Sequence, residues 1–137
     1  MAAQMFFVNL PVKNLETTKS FFAKLGFSFN DQFSDEKTAC LVISDTVLAM
    51  LLTEPRFKEF TTKDITDTRK STEVLLGLSA ESREKVDELV DTALSAGGST
   101  ANETQDHGFM YGRSFQDPDG HIWEVMWMDM SAPEAQG

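Results

Sequence analysis

The chain has 137 residues, a length that suits one domain with its own core. Its 12 basic and 22 acidic residues give a net charge of −10, which argues against nucleic acid and anionic membranes as partners. No run approaches the roughly 18 apolar residues of a membrane span, and the start, Met1-Ala-Ala-Gln, lacks the basic region of a signal peptide. A lone cysteine, Cys40, excludes an intramolecular disulfide. We therefore expect a cytoplasmic protein.

The first half of the chain predicts a strand, a helix and three more strands. A strand at 5–12 precedes Asn14, a helix-capping residue, and Phe21 and Phe22 lie on the inward face of the helix that follows. Gly26 ends that helix. Three strand-like runs come next, at 27–33, 38–44 and 47–53, and Asp45-Thr46 makes a tight hairpin between the last two.

The segment 55–70 separates the two halves and has no clean period. It holds five of the twelve basic residues. Two interpretations remain open: a solvated linker, or a lid over a binding face.

The second half repeats the order of elements. A strand at 72–78 leads to Ser79, which we expect to cap a helix that ends at Gly97-Gly98. The apolar face of this helix consists of Val86, Leu89, Val90, Ala93 and Leu94. Strands near 99–104, 109–116 and 121–128 complete the half, and a small polar tail follows at 129–137. This order of elements predicts an α+β fold.

The last hairpin carries the most informative residue. Asp117-Pro-Asp-Gly120 is a strong turn, after which Ile122, Glu124 and Met126 share one strand face. A carboxylate between apolar neighbours is costly to bury unless it is paired, protonated or bound to a cation. Glu124 therefore marks either a functional site or a strand whose glutamate faces water.

This turn and strand resemble the final hairpin of the vicinal oxygen chelate superfamily, which includes glyoxalases, bleomycin-resistance proteins, fosfomycin-resistance enzymes and extradiol dioxygenases. The opening segments Phe7–Glu16 and Ser20–Phe27, with their Leu-Gly-Phe exit, are similar to the first strand and helix of that family. The resemblance covers about residues 5–128.

The resemblance implies one domain, 1–137, built from two βαβββ modules that form a curved mixed sheet, with helices outside and a concave pocket. The first module would span about 5–54, the linker 55–70 and the second module about 72–128. Relatives of the glyoxalase type also complete each site with modules from two chains, so a homodimer is expected.

The metal-ligand positions of the family, carried onto this chain, fall on Phe7, Leu51, Glu73 and Glu124. Only the two glutamates can bind a cation. Zinc, nickel or iron sites usually need three protein ligands, whereas two carboxylates suit a weakly held divalent metal such as Mg²⁺ or Mn²⁺. The resemblance thus implies Glu73 and Glu124 as catalytic groups, with a weak metal site at most.

Other candidates for ligand contact follow from strand alternation. Asn9 shares a face with Phe7, and Ser114 shares the inward face with Gly112. Arg113 then points the other way, as a salt-bridge partner. The phenol of Tyr111 is expected to reach the rim of the pocket. His107, in a loop, is either solvated or a base at the pocket mouth.

Three functions remain open. In the first, the chain is a metal-assisted lyase or isomerase of the glyoxalase type that acts on a small oxygenated substrate. Alternatively, it sequesters an apolar or aromatic molecule without chemistry, as bleomycin-resistance proteins do. A scaffold with a vestigial pocket is the third interpretation. Phe7 and Leu51 in place of ligands favour sequestration, and a Glu73–Glu124 pair would favour the enzyme.

Overall fold

The structure is a computed structural model that describes residues 1–131. Of the predicted tail at 129–137, residues 132–137 therefore lie outside the described part of the chain. The chain divides into two compact units, one of which spans Met1–Asp67 while the other begins at Thr68. None of the helices in residues 1–131 combines the length and apolar character needed to cross a membrane.

The first unit is a four-stranded mixed sheet with one long helix. The strand order is β1-β4-β3-β2, with β1 parallel to β4 and the other pairs antiparallel. Its elements are β1 (Phe6–Val12), α1 (Leu15–Lys24), β2 (Ser28–Phe29), β3 (Thr38–Val42), β4 (Val47–Thr53) and the short helix α2 (Glu54–Phe57). A 3-10 turn at Asp31–Phe33 replaces most of the strand expected at 27–33, because the Asn30 side chain accepts the N–H of Gln32 and bends the backbone.

Helix α1 begins and ends where the sequence predicts. The Asn14 side chain accepts the N–H of Thr17 at 3.0 Å and caps the first turn. Gly26, with a φ of 96°, ends the helix in the left-handed region that glycine tolerates. Phe21 and Phe22 are fully buried and meet edge to face, with ring centroids 5.0 Å apart. The helix thus packs its aromatic face into the core of the first unit.

The second unit repeats this arrangement. Its sheet has the order β5-β9-β8-β6, and a further short strand, β7, pairs with β8. Its elements are β5 (Leu75–Ser79), α3 (Arg83–Ser95), β6 (Ser99–Thr100), β7 (Gln105–Asp106), β8 (Met110–Gln116) and β9 (Ile122–Met128). Two units that each run strand, helix, strands around a mixed sheet confirm the predicted α+β fold.

The cap of α3 differs from the prediction. Ser79 is the last residue of β5, and the backbone N–H of Ala80 still donates to Met126 O at 2.8 Å. The side chain of Ser82 caps the helix instead, by accepting the N–H of Lys85 at 3.1 Å. Strand pairing with β9 therefore extends β5 and delays the helix by three residues.

The core of the second unit lies between α3 and its sheet. Of the five residues predicted on the apolar face of the helix, Val86, Val90 and Ala93 are buried, and Leu89 and Leu94 are half-buried. On the side of the sheet that faces the helix, the buried residues of β8 and β9 are Phe115, Trp123 and Val125. The rings of Phe115 and Trp123 stack nearly parallel, 6.5 Å apart. One face of the sheet is thus covered by α3, and alternation along the strands assigns the remaining side chains to the other face.

Candidate functional site

The two faces of the second sheet carry different chemistry. Tyr111 and Arg113 of β8 point toward α3, where both donate hydrogen bonds to Asp87 Oδ1, at 2.6 and 2.8 Å. Since side chains alternate along a strand, Gly112 and Ser114 point away from α3. The register extends that second face to both neighbouring strands. We call it the open face; its central residues are Leu75, Gly77 and Ser79 of β5, Gly112 and Ser114 of β8, and Ile122, Glu124 and Met126 of β9.

Glu124 lies at the centre of the open face. It is half-buried, and its strand neighbours on the same face are Ile122, half-buried, and Met126, which is 37% exposed. Within residues 1–131 the Glu124 carboxylate makes no hydrogen bond and no ion pair with another side chain. A carboxylate that is partly withdrawn from water gains from a counter-charge or a donor. The structure therefore leaves this group available to a ligand.

The position beside Glu124 on β5 is bare. Gly77 is its register partner, and a Cβ placed on Gly77 would meet nothing within 4 Å. By contrast, a Cβ placed on Gly112 would lie 3.1 Å from Met126 Cγ, so the Met126 side chain leans toward β8. The space next to the carboxylate is consequently open on the β5 side, whereas the Met126 side chain fills the space over Gly112, two residues along β8 from the partner of Glu124.

Ser114 is the register partner of Glu124 on β8, so the two residues share a face. Its hydroxyl accepts the N–H of Asn102 at 2.8 Å and reaches Asn102 O at 3.3 Å. The side chain is nearly fully buried. Both hydrogen-bonding directions of the hydroxyl thus serve the loop before β7, and Ser114 fixes that loop beside the open face.

Glu73 does not lie beside Glu124. Strand β5 begins at Leu75, and Glu73 sits in an exposed bend before it. Gly77 is the residue next to Glu124, and Glu73 lies four residues before Gly77, outside the strand. The predicted placement of Glu73 on a strand beside Glu124 is wrong, and the register gives no support for a shared proton or a shared cation.

Tyr111 is also corrected. Its phenol donates to Asp87 on α3 and lies under the Arg83 guanidinium, whose central carbon is 4.6 Å from the ring centroid. This is the face opposite Glu124, so the phenol does not reach the open face. The salt-bridge role predicted for Arg113 is confirmed: it pairs with Asp87 at 2.8 Å and with Asp91 at 2.9 Å.

In the first unit, Phe7 and Asn9 share one face of β1, and Asn9 pairs with Met50. Phe7 is 51% exposed and Asn9 is exposed. Leu51 pairs with Leu10 instead, lies on the opposite face and is fully buried in the core. The predicted placement of Leu51 on the face of Phe7 is therefore wrong, and Met50 occupies that face of β4.

Both histidines lie away from the centre of the open face. His107 is exposed in the turn between β7 and β8, where its backbone N–H donates to Met110 O at 2.9 Å. His121 directly precedes β9 and belongs to the turn that starts at Asp117. Neither histidine belongs to β9, so no imidazole is a neighbour of the Glu124 carboxylate on that strand.

A divalent metal is the cofactor that the sequence resemblance implied. Within residues 1–131 of a single chain, no three side chains of histidine, cysteine, aspartate or glutamate converge as a metal-ligand set. With Glu73 in an exposed bend, Glu124 is the one carboxylate among the central residues of the open face. A single carboxylate does not fit the three-ligand sites of zinc or iron. The described residues therefore do not fit a zinc or iron site, and of the two carboxylates expected to hold a weakly bound Mg²⁺ or Mn²⁺ only Glu124 lies on the open face.

Asp117 organises the turn that positions β9, a role that the sequence did not reveal. Its Oδ1 accepts the N–H groups of Asp119 and His121, at 2.9 and 3.1 Å, and its Oδ2 accepts the indole N–H of Trp123 at 3.0 Å. The motif Asp-Pro-Asp-Gly predicts the turn, yet the bond to Trp123 depends on tertiary packing. Trp123 directly precedes Glu124, so Asp117 fixes the strand at the site.

The electrostatics of Asp117 follow from this burial. Desolvation raises the pKa of the Asp117 carboxyl above its ordinary value of 3.8, while the charge of His121 and the hydrogen bond from Trp123 act in the opposite direction. All of its bonds lie within the turn and strand. Asp117 is therefore a structural carboxylate, and Glu124 is the carboxylate available for binding.

Comparisons with known proteins agree with this architecture. A sequence model of the Glyoxalase/Bleomycin resistance protein/Dioxygenase superfamily matches residues 4–125. The chain is similar to a hypothetical protein from S. aureus of solved structure, with 28% identity, coverage of 93% of this chain and 94% of that chain, and a TM-score of 0.77. No curated protein matches the chain significantly.

Two more distant solved structures share the fold. One is a glyoxalase-related enzyme from Fulvimarina pelagi, with 18% identity, coverage of 92% of this chain and 88% of that chain, and a TM-score of 0.77. The other is a glyoxalase/bleomycin resistance protein/dioxygenase family enzyme from Burkholderia phytofirmans PsJN, with 16% identity, coverage of 89% and 96%, and a TM-score of 0.73.

Proposed function

The chain belongs to the Glyoxalase/Bleomycin resistance protein/Dioxygenase superfamily. On that premise we propose that it binds a small organic molecule on the open face of its second sheet, at Glu124. One observation carries the proposal. A half-buried carboxylate without a partner in residues 1–131 stands between apolar side chains, next to the open space at Gly77. Binding sites combine such apolar lining with a few placed polar groups.

Binding without chemistry is the function that the residues favour. Glu73 and Tyr111 lie away from Glu124, and the Ser114 hydroxyl is committed to Asn102, which leaves no second catalytic group on the open face near Glu124 within residues 1–131. His107, exposed in the second unit, stays a predicted ligand contact, and so do Phe7 and Asn9, exposed on β1, for the first unit by itself.

A lyase or isomerase is the second candidate, and the same carboxylate favours it. A glutamate without a partner can take a proton from a bound substrate if its Oε atoms reach the acidic C–H. In that case Glu124 acts as the base, and the metal step of the glyoxalase type has no support in the donor set described above. Loss of turnover with retained ligand affinity in Glu124→Gln would identify this second function.

The proposal is tested by filling the open space. We expect Gly77→Ala and Gly77→Val to fold, since the φ of Gly77 lies outside the left-handed region and its Cβ meets no atom. Amide chemical-shift mapping with a set of small aromatic amines, alcohols and acids should show shifts at residues 75–79 and 122–126 in the wild type. The affinity should fall stepwise from glycine to alanine to valine.

Two outcomes would overturn the proposal. One is a set of shifts that lies elsewhere in the second unit and is unchanged in Gly77→Val. The other is the absence of any shift at the open face with every compound. Glu84→Gln is the matched control, because Glu84 is exposed in the first turn of α3, on the other side of the sheet, and its change removes one charge from the same unit.

A further inference from the structure

We propose that the ligand of the open face is an organic cation: a protonated amine carried on an aromatic or branched apolar body. This inference rests on the proposed function and adds the charge and shape of the ligand. It depends on the sign of the charge at the site, on the positions of the three basic residues on the α3 side of the sheet, and on the apolar surface around Glu124.

The charge at the centre of the open face is negative and uncompensated. Glu124 has no ion-pair partner within residues 1–131, and its neighbours across the strands, Gly77 and Ser114, carry no charge. An ammonium group placed beside the carboxylate would supply the missing counter-charge and up to three N–H donors. An anionic ligand would meet repulsion instead.

The basic side chains near α3 are already engaged on the other side of the sheet. Arg113 is bound by Asp87 and Asp91, and Arg83 pairs with Asp106 at 2.6 Å while it lies over the rings of Tyr111 and Trp127. Lys85 pairs with Glu88 at 3.2 Å. These cations serve the α3 face, so they do not balance an anionic ligand at Glu124.

The surroundings of Glu124 suit an apolar body. Leu75 is 55% exposed and Met126 is 37% exposed on the same face, with Ile122 beside Leu75 in register. The bare strand at Gly77 lets a flat ring lie directly on the backbone, and the flexible thioether of Met126 adapts to the shape of its neighbour. A carboxylate set in this apolar surface complements an amine better than a sugar or a phosphate.

The test uses three ligands that share one ring and differ in charge: phenethylamine, phenethyl alcohol and phenylacetate. We expect amide shift titrations of the wild-type chain to give a dissociation constant for the amine about tenfold lower than for the alcohol, with phenylacetate weakest. Added salt should weaken binding of the amine and leave the affinity for the alcohol unchanged. Glu124→Gln should bring the affinity for the amine to that for the alcohol, and Glu84→Gln, on α3, should not.

The outcomes separate this inference from the proposed function. If all three compounds bind the open face equally, or if phenylacetate binds best, the ligand is not a cation while the binding site stands. If none of the three shifts residues 75–79 or 122–126, both proposals fail. The salt dependence of amine binding to the wild type still tests the role of charge if Glu124→Gln does not fold, and amine binding that salt leaves unchanged would overturn the inference.

Discussion

Gly120 closes the turn before β9 under two separate constraints. Its φ is 83°, and a Cβ at this position would lie 2.5 Å from Thr68 Oγ1, which itself donates to Asp119 O at 2.6 Å. Alanine at this position would have to adopt an unfavourable left-handed backbone conformation, and its Cβ would clash with Thr68. We expect Gly120→Ala to lower the free energy of unfolding by about 2–4 kcal/mol in urea denaturation.

Gly97 is the matched control for this substitution. Its φ is 115°, yet a Cβ there would meet nothing within 4 Å. Gly97→Ala should therefore show the backbone cost alone, about 1 kcal/mol. Equal losses for the two variants would mean that the contact with Thr68 is unimportant. Adding Thr68→Ala to Gly120→Ala should recover part of the loss if the contact matters.

The stability of Glu124→Gln is a second prediction at the residue scale. Glutamine keeps the size of the side chain and removes a half-buried charge that has no partner within residues 1–131. We expect the free energy of unfolding to stay the same or rise by up to about 1 kcal/mol, because a solvation penalty disappears. A clear loss of stability in urea denaturation would instead mean that the carboxylate makes a structural bond.

Helix α3 is tied to β8 by a carboxylate whose charge matters for stability. Hydrogen bonds from Tyr111 and Arg113 hold the pKa of Asp87 below its ordinary value of 3.8. A lowered pKa in the folded chain means that the stabilisation is fully present above the unfolded value and is lost as the pH falls through the folded value. The tie between the helix and the sheet should therefore weaken in acid.

Asp87→Asn tests this tie. Asp87 is about half exposed, so solvent screens the pair, and we expect a loss of about 1 kcal/mol at pH 7. That difference between wild type and variant should shrink as the pH falls below 3.8. Urea denaturation at several pH values measures it, with Glu84→Gln, an exposed first-turn change in α3, as the control. A difference that does not vary with pH would contradict an electrostatic origin.

The sequence predicted the elements well and the site only in part, for reasons that particular residues show. Alternation placed Gly112 with Ser114 on one face of their strand and Glu124 with Ile122 and Met126 on one face of the next, because a strand has a strict period of two. Leu51 was misplaced because Val47–Thr53 is apolar on both faces, so its pattern does not distinguish them. Such a run permits either register.

Glu73 shows a different limit. Thr72 and Val74 are good strand formers, so the local sequence permits a strand through Glu73. Strand pairing instead starts β5 at Leu75, because Leu75 pairs with Ile122. The residues directly before Ile122 belong to the turn at Gly120 and not to β9. The start of β5 is therefore set by a turn about 45 residues away, which no local pattern contains.

At the scale of the whole molecule we expect a homodimer. Strands β1 and β5 lie at the ends of their sheet orders, and Phe6 and Leu75 on them are 61% and 55% exposed. Apolar edge strands are commonly covered by a second chain. Sedimentation equilibrium at micromolar concentration should give a mass near twice 15.3 kDa.

A substitution on the edge should separate the subunits. Phe6→Lys is expected to shift the equilibrium toward the monomer, whereas Phe33→Lys, at a similarly exposed phenylalanine outside the strands, should leave the mass unchanged. A monomer for the wild type, or equal effects of the two variants, would show that these edges are not the interface.

The parallel pairing of the first and last strands has a consequence for how each unit is made. In the second unit, β9 is synthesised last yet lies between β5 and β8 in the sheet. In a nascent chain that ends before Ile122, β8 can pair with β6 and β7, but β5 has no neighbour, so the complete sheet cannot form while the ribosome still retains β9. Pairing β5 with β9 brings together strands that are far apart in the sequence. The entropy of the long loop between them is lost before the contacts form, which slows folding. The strand that carries Glu124 is thus also the one whose arrival completes the unit.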